Sequence, residues 1–229
     1  MLLLALDTAT PACAVAVCEV SDGPDRRVAE LAADSPVDAR RSGELLAPTI
    51  RSVLAATGIG ADDLGAVVVG LGPGPFTSLR VGIVTAASLG HALGIPVHGV
   101  CSLDAFAIGC PGPVGVASDA RRRELYWATY EGGERSAGPA VARPPAVAEA
   151  FRAAGTRLVL GAGPSLYAEA FEGLTSADVL YPSPSAVARV GARLLGTAPL
   201  PLEPLYLRRP DAAPPAPPAA SHVPRPVSA

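Results

Sequence analysis

The chain has 229 residues, 49% of them hydrophobic and 17% charged, with a formal net charge of −3; this is enough to bury a large core in one or two domains and excludes a chain that is disordered throughout. A net acidic protein is a poor holder of nucleic acid by itself, since that work needs clustered cations. Every cation is Arg, and Lys, Asn and Gln are absent, so Schiff-base, P-loop-lysine and lysine-base chemistry are excluded.

The apolar run Leu2–Leu6 predicts a strand, and Asp7-Thr8-Ala9-Thr10-Pro11 supplies turn chemistry before a second apolar run, 12–17. Residues 27–33 add a third strand. From 38 to 56 the period changes: Leu45, Leu46, Thr49, Ile50, Val53 and Leu54 recur as the stripe of an amphipathic helix that Gly58 stops. Ala66-Val67-Val68-Val69 is a buried strand, followed by the loop Gly70-Leu71-Gly72-Pro73-Gly74-Pro75, a helix over 76–93 ended by Gly94, and a strand over 95–100. Strands at 114–117 and 125–130, a helix near 146–154, a strand at 158–160 and a helix near 185–195 follow. Strands first and alternating helices afterwards, twice over, predict two related α/β halves. The last twenty residues hold seven Pro among Ala and Ser and predict a disordered tail.

Four Cys without a C-x-x-C spacing read as buried reduced thiols; Cys13 and Cys18 are five apart on a strand and point to opposite faces. The N-terminus lacks a basic region ahead of its apolar run, and no stretch reaches the length of a membrane span, which predicts a soluble cytoplasmic protein. The loop at 70–75 has two readings. It can cradle phosphate at a helix N-terminus, but Pro73 and Pro75 remove donors, which favours a tight turn. Asp7 with Thr8 lies where a phosphate- or magnesium-facing carboxylate would stand, and equally where a turn needs an Asp. Arg121-Arg122-Arg123 reads as a solvated turn. His91 and His98 lack metal-ligand spacing. In the helix at 76–93, Gly82, Ala86 and Gly90 form a smooth ridge at i, i+4, i+8. Glycine inside a helix costs about 0.5–1 kcal/mol relative to Ala, so the ridge needs a packing reason: this chain's own sheet or a helix of another chain.

Together these residues resemble the TsaB family. Its three N-terminal signatures are matched by Leu4-Ala5-Leu6-Asp7-Thr8-Ala9-Thr10, by Ala39-Arg40-Arg41-Ser42-Gly43-Glu44-Leu45-Leu46 and by Gly70 through Gly82; Asp119-Ala120-Arg121, Glu124 to Ala128 and Pro204 to Arg208 match its C-terminal marks. Two positions depart from the family pattern: Ser42-Gly43-Glu44 stands where His-Ser-Glu is usual, and Pro75 where Ser is usual. The resemblance implies an α/β fold of the actin/Hsp70/sugar-kinase, ribonuclease H-like type, with an N-terminal lobe over 1–101 carrying dimerisation helices, a C-terminal lobe over 102–209 and a tail over 210–229. It implies a non-catalytic scaffold subunit for N6-threonylcarbamoylation of a tRNA adenosine beside the anticodon. It would bind a TsaD-type catalytic subunit, meet a TsaE-type ATPase and tRNA through the complex, and form a homodimer when alone.

No cofactor is implied on this chain, ATP and metal falling to the partners; without a His-x-x-x-His pair, no metal centre or peptidase activity is expected. The implied partner interface is Leu46, Ile50, Val53, Gly82, Ile83, Ala86 and Gly90, and a vestigial nucleotide site would comprise Asp7, Thr8, Gly72, Gly74 and Asp119. The alternative of another class is a small-molecule kinase of the same fold, similar to type III pantothenate kinase, with Asp7 and Asp119 as its available carboxylates.

Overall fold

The run Leu2–Leu6 is apolar without alternation because its strand is covered on both faces. In the computed structural model, which describes residues 1–23 and 26–208, β1 (Leu2–Asp7) is the middle strand of a five-stranded sheet. On one side it pairs antiparallel with β2 (Ala14–Val20), which pairs antiparallel with β3 (Val28–Asp34); on the other it pairs parallel with β4 (Leu64–Gly70), which pairs parallel with β5 (Val97–Val100). The order is β3-β2-β1-β4-β5. Two helices, α1 (Ser42–Thr57) and α2 (Phe76–Leu93), cover one face, packing Leu46, Ile50, Val53, Leu79, Ile83 and Ala86 against Leu4, Leu6, Val15 and Val67. Gly58 and Gly94 close these helices in the left-handed conformation, as the sequence predicts. The first helix begins four residues later than its periodicity suggests, because Val37 bridges Ala12 and the Asp38 amide donates to the Pro11 carbonyl.

The second half repeats the topology. After α3 (Asp104–Ala107) come β6 (Val114–Asp119), β7 (Leu125–Glu131) and β8 (Glu134–Ala142), then α4 (Pro144–Ala153), β9 (Leu158–Leu160), α5 (Gly163–Leu166), β10 (Thr175–Ser176) and α6 (Pro184–Ala192). Read from its other edge as β8-β7-β6-β9-β10, the second sheet matches the first strand for strand, two antiparallel pairings followed by two parallel ones. The duplicated sheets establish the predicted two-half α/β architecture. Elements β8, β10, α3 and α5 are additions that the sequence does not announce.

The last helix, α6, leaves its own sheet. It lies on the free face of the first sheet, burying Ala186, Val187, Ala188 and Ala192 against Leu3, Ala5, Ala16 and Val68. A Cβ on Gly191 would run into the Val68 side chain, so helix and sheet meet at the closest spacing a side chain allows. Residues 202–208 then bind both halves: the Leu205 amide donates to the Leu71 carbonyl at 2.8 Å, and the Arg208 guanidinium donates to the Ala120 carbonyl at 2.8 Å and pairs with Glu124. The Pro-rich segment at 210–229 lies outside the described residues.

Cys13 and Cys18 pack into the cores on opposite faces of the first sheet, and all four cysteines are free thiols. No helix among the described residues is long and apolar enough to cross a membrane.

Candidate functional site

The loop from Gly70 to Pro75 joins the end of β4 to the start of α2, beside the end of β1, and brings the family signatures into contact. Asp7 is 0% exposed. Its Oδ1 accepts the Ala9 amide at 2.7 Å, and its Oδ2 accepts the Ser102 hydroxyl. That hydroxyl in turn accepts the Gly72 amide at 3.1 Å. Gly70 is required there, since a Cβ would overlap the Asp7 carboxyl and stand 2.6 Å from Ser102 Oγ. Thr8 donates from Oγ1 to the Ser78 carbonyl at 2.7 Å, tying the strand end to the first turn of α2. Burial pushes the Asp7 pKa upward, against the lowering effect of its two hydrogen bonds.

These contacts correct the expected nucleotide site. Asp7, Thr8, Gly72 and Gly74 do come together, but as a sealed knot: Gly74 is pressed onto the Ala9 backbone and Gly72 onto Leu79. Asp119 is elsewhere, at the end of β6, holding the Arg121 amide at 2.8 Å. Of the five residues only Gly74 and Asp119 reach the cleft between the halves, a space of about 230 Å³ also bounded by Phe76, Tyr126 and Tyr206. There Phe76 stacks on Tyr206 at 4.9 Å between ring centroids, and the Arg80 guanidinium lies 3.9 Å over the Phe76 ring. The segment 202–208 thus forms part of the cleft wall, a role that residue patterns could not disclose.

The expected partner interface needs a second correction. Leu46, Ile50, Val53, Gly82, Ile83, Ala86 and Gly90 are all buried within this chain. The smooth ridge of α2 faces inward, because a Cβ at Gly82 would strike Thr8 Oγ1 and one at Gly90 the Val97 side chain. What the two helices turn outward is different. Val84 is 62% exposed and Phe76 38%, and Ala47, Pro48, Ala55, Ala56 and Ala87 are exposed with them. Among residues that α1 and α2 expose, only Glu44, Arg51 and Arg80 carry a full charge, the depletion expected of a protein-facing patch.

A further feature is the turn between β6 and β7. Arg121, Arg122 and Arg123 have φ of 62°, 52° and 59°, and among the described residues every other positive φ belongs to glycine. Each such residue costs roughly 1–2 kcal/mol against a right-handed conformation. No group of three or more His, Cys, Asp or Glu able to hold a metal occurs among the described residues.

Comparison with known proteins gives consistent matches. The family model described as "TsaD: tRNA N6-adenosine threonylcarbamoyltransferase" matches residues 36–189. An uncharacterized protein of Mycobacterium leprae is 46% identical over 213 residues, covering 93% of this chain and 56% of that protein, so the chain spans little more than half of that relative's length. The tRNA threonylcarbamoyladenosine biosynthesis protein TsaB of Escherichia coli is 31% identical over 227 residues, covering 91% of this chain and 95% of that one. A solved Pseudomonas aeruginosa protein, described as similar to peptidase YEAZ, superposes with a TM-score of 0.75 at 29% identity, covering 90% of this chain and 99% of that one. The small-molecule kinase alternative gains nothing from these matches, and the sealed Asp7 removes a carboxylate it relies on.

Proposed function

This chain belongs to the TsaB family, and on that premise we propose that it is an accessory subunit in the biosynthesis of threonylcarbamoyladenosine in tRNA, binding a TsaD-type subunit that performs the chemistry. The observation that carries the reading is the outward side of α1 and α2, where Val84 and Phe76 lie exposed among small residues and few charges. Covering such a patch gains hydrophobic free energy without stranding buried charge. The inward glycines contribute indirectly. By letting α2 sit hard on Thr8 and Val97, they fix the height and angle at which the outer face is presented.

The sealed Asp7 fits the same role. A carboxylate with both oxygens satisfied inside the protein is a structural strut at the strand end, and catalysis, ATP and metal are left to the partner subunits. In the partner's absence the same helices pair two copies of this chain. A TsaE-type ATPase and tRNA are reached through the complex.

Co-expression of the tagged chain with the TsaD-type protein of the same genome, followed by affinity capture and mass determination in solution, tests the reading. A stoichiometric heterodimer is expected. A folded chain recovered without its partner overturns it.

A further inference from the structure

The β6–β7 hairpin is closed by the Ala120 amide donating to the Glu124 carbonyl and the Glu124 amide to the Arg121 carbonyl, both at 3.0 Å, across three left-handed residues. Arg121, Arg122 and Arg123 are exposed, yet all three hold the left-handed conformation that the chain elsewhere, among the described residues, entrusts to glycine alone. A hairpin takes positive φ at least cost from Gly, Asn or Asp, so three arginines there point to a use for their side chains. The turn forms part of the rim of an open groove of about 1320 Å³ in the second half, which Arg143, at the start of α4, lines together with Glu169 and Glu172. Arg152 is committed to the fold, donating to the carbonyls of Ala170 and Glu172 at 3.1 and 2.8 Å. Arg121 has Asp119 at 3.8 Å. Arg123 and Arg143 enter no ion pair among the described residues.

We propose that the arginine turn, with Arg123 and Arg143 as its principal contacts, is a docking surface for the phosphate backbone of an RNA. The inference rests on the tRNA-modification reading above and goes beyond it, since that reading reaches tRNA only through partners. Guanidinium forks match phosphate oxygens in pairs. Leu166 is the one large apolar side chain exposed along the groove among the described residues, and four arginines against two glutamates line it, a balance that suits a phosphate backbone better than an apolar protein face. A chain of net charge −3 that gathers arginines on one turn directs a polyanion to that place and repels it from others.

The test uses a fluorescein-labelled, unmodified tRNA transcript and measures anisotropy from 50 to 200 mM KCl, with this chain alone and with its TsaD-type partner. Two proteins are compared with the native chain: the double variant Arg123→Glu/Arg143→Glu, and Arg123→Gly. Loss of two phosphate contacts flattens the slope of log K against log salt by about 1.4–1.8. The accompanying loss of affinity at 100 mM is about tenfold. Arg123→Gly is expected to melt at a higher temperature while binding RNA less well, a combination that a purely structural turn would not give.

Unchanged RNA affinity and salt slope in a complex that assembles and binds tRNA overturn the inference and leave the accessory-subunit reading intact. Loss of partner capture with unaltered RNA binding by the chain alone makes the turn a protein contact, which also overturns it. If the two subunits fail to associate, the accessory reading fails. The chain-alone titrations then decide the inference: native binding that the double variant loses supports it, and equal or absent binding in both overturns it.

Discussion

On the proposed reading, docking and folding fall to opposite sides of one helix, so Val84→Asp and Ala86→Leu should have opposite phenotypes. Val84 is 62% exposed. Full burial of a valine is worth about 1.5–3 kcal/mol, so roughly 1–2 kcal/mol is available when a partner covers it. An Asp in its place forfeits that gain and must be desolvated against an apolar patch, a further penalty of about 2 kcal/mol. The sum, about 3–4 kcal/mol, weakens association roughly 100- to 1000-fold. Val and Asp have similar helix propensities and the site is exposed, so folding stability should change by no more than about 0.5 kcal/mol. Ala86 is 0% exposed beneath the helix. Extra methylenes there overpack the core by about 1–3 kcal/mol, lowering the melting temperature by roughly 2–12 °C. Titration calorimetry against the TsaD-type subunit, beside thermal melts of the free chain, reads both effects. Native affinity in the Val84→Asp protein would refute the assignment of the outer face. So would a stably folded Ala86→Leu protein that no longer associates.

Gly70→Ala should destabilise the fold by more than about 3 kcal/mol, because its methyl displaces a buried carboxyl from Ser102 and strands both groups; a denaturant midpoint near the native one would contradict this. For Asp7→Asn the effect depends on pH. Burial raises the Asp7 pKa above the unfolded value of 3.8, so the native chain loses stability as pH climbs from 3.8 toward the folded pKa, a loss the Asn variant escapes. Urea unfolding at pH 4.5 and 7.5 should therefore show the variant gaining on the native chain at the higher pH, and a pH-independent difference would count against the account. Thiol labelling at pH 8 should find Cys110 first, since it is only half-buried. Burial raises Cys13 to about 11 and both Cys18 and Cys101 to about 12. More than one equivalent reacting rapidly in the native protein would disagree with that environment.

The first hundred residues are legible from their sequence because period and punctuation agree. The helix at 76–93 is bounded by Pro75 and Gly94, and both ends fall where those residues put them. By contrast β8 has no apolar alternation to read; its residues are exposed or half-buried, and backbone pairing to β7 holds it. The signature residues at Asp7 and Gly70–Pro75 stand out in the sequence, yet whether Asp7 faces a ligand or the interior depends on Ser102, which lies 95 residues away. The ridge Gly82-Ala86-Gly90 has the same limit. A smooth helix face looks alike whether a sheet or a partner covers it, and Thr8 and Val97 decide the matter. The arginine turn is illegible for another reason: Arg has no preference for the left-handed region, so nothing local announces it.

Helix α6 carries a consequence for how the protein is made. The first sheet is complete by residue 100, but one of its faces is covered chiefly by α6, which begins at Pro184, with Ala105 of α3 packed beside it. At roughly 5–20 residues per second, a ribosome needs about 4–17 s to synthesise the intervening chain. Throughout that interval Leu3, Ala5, Ala16 and Val68 form an open apolar plane on a nascent polypeptide, a surface that trigger-type chaperones and neighbouring nascent chains both favour. A message truncated before the codons for α6 should therefore yield insoluble product, and supplying residues 184–208 in trans should rescue it, as a missing last plank closes a hull.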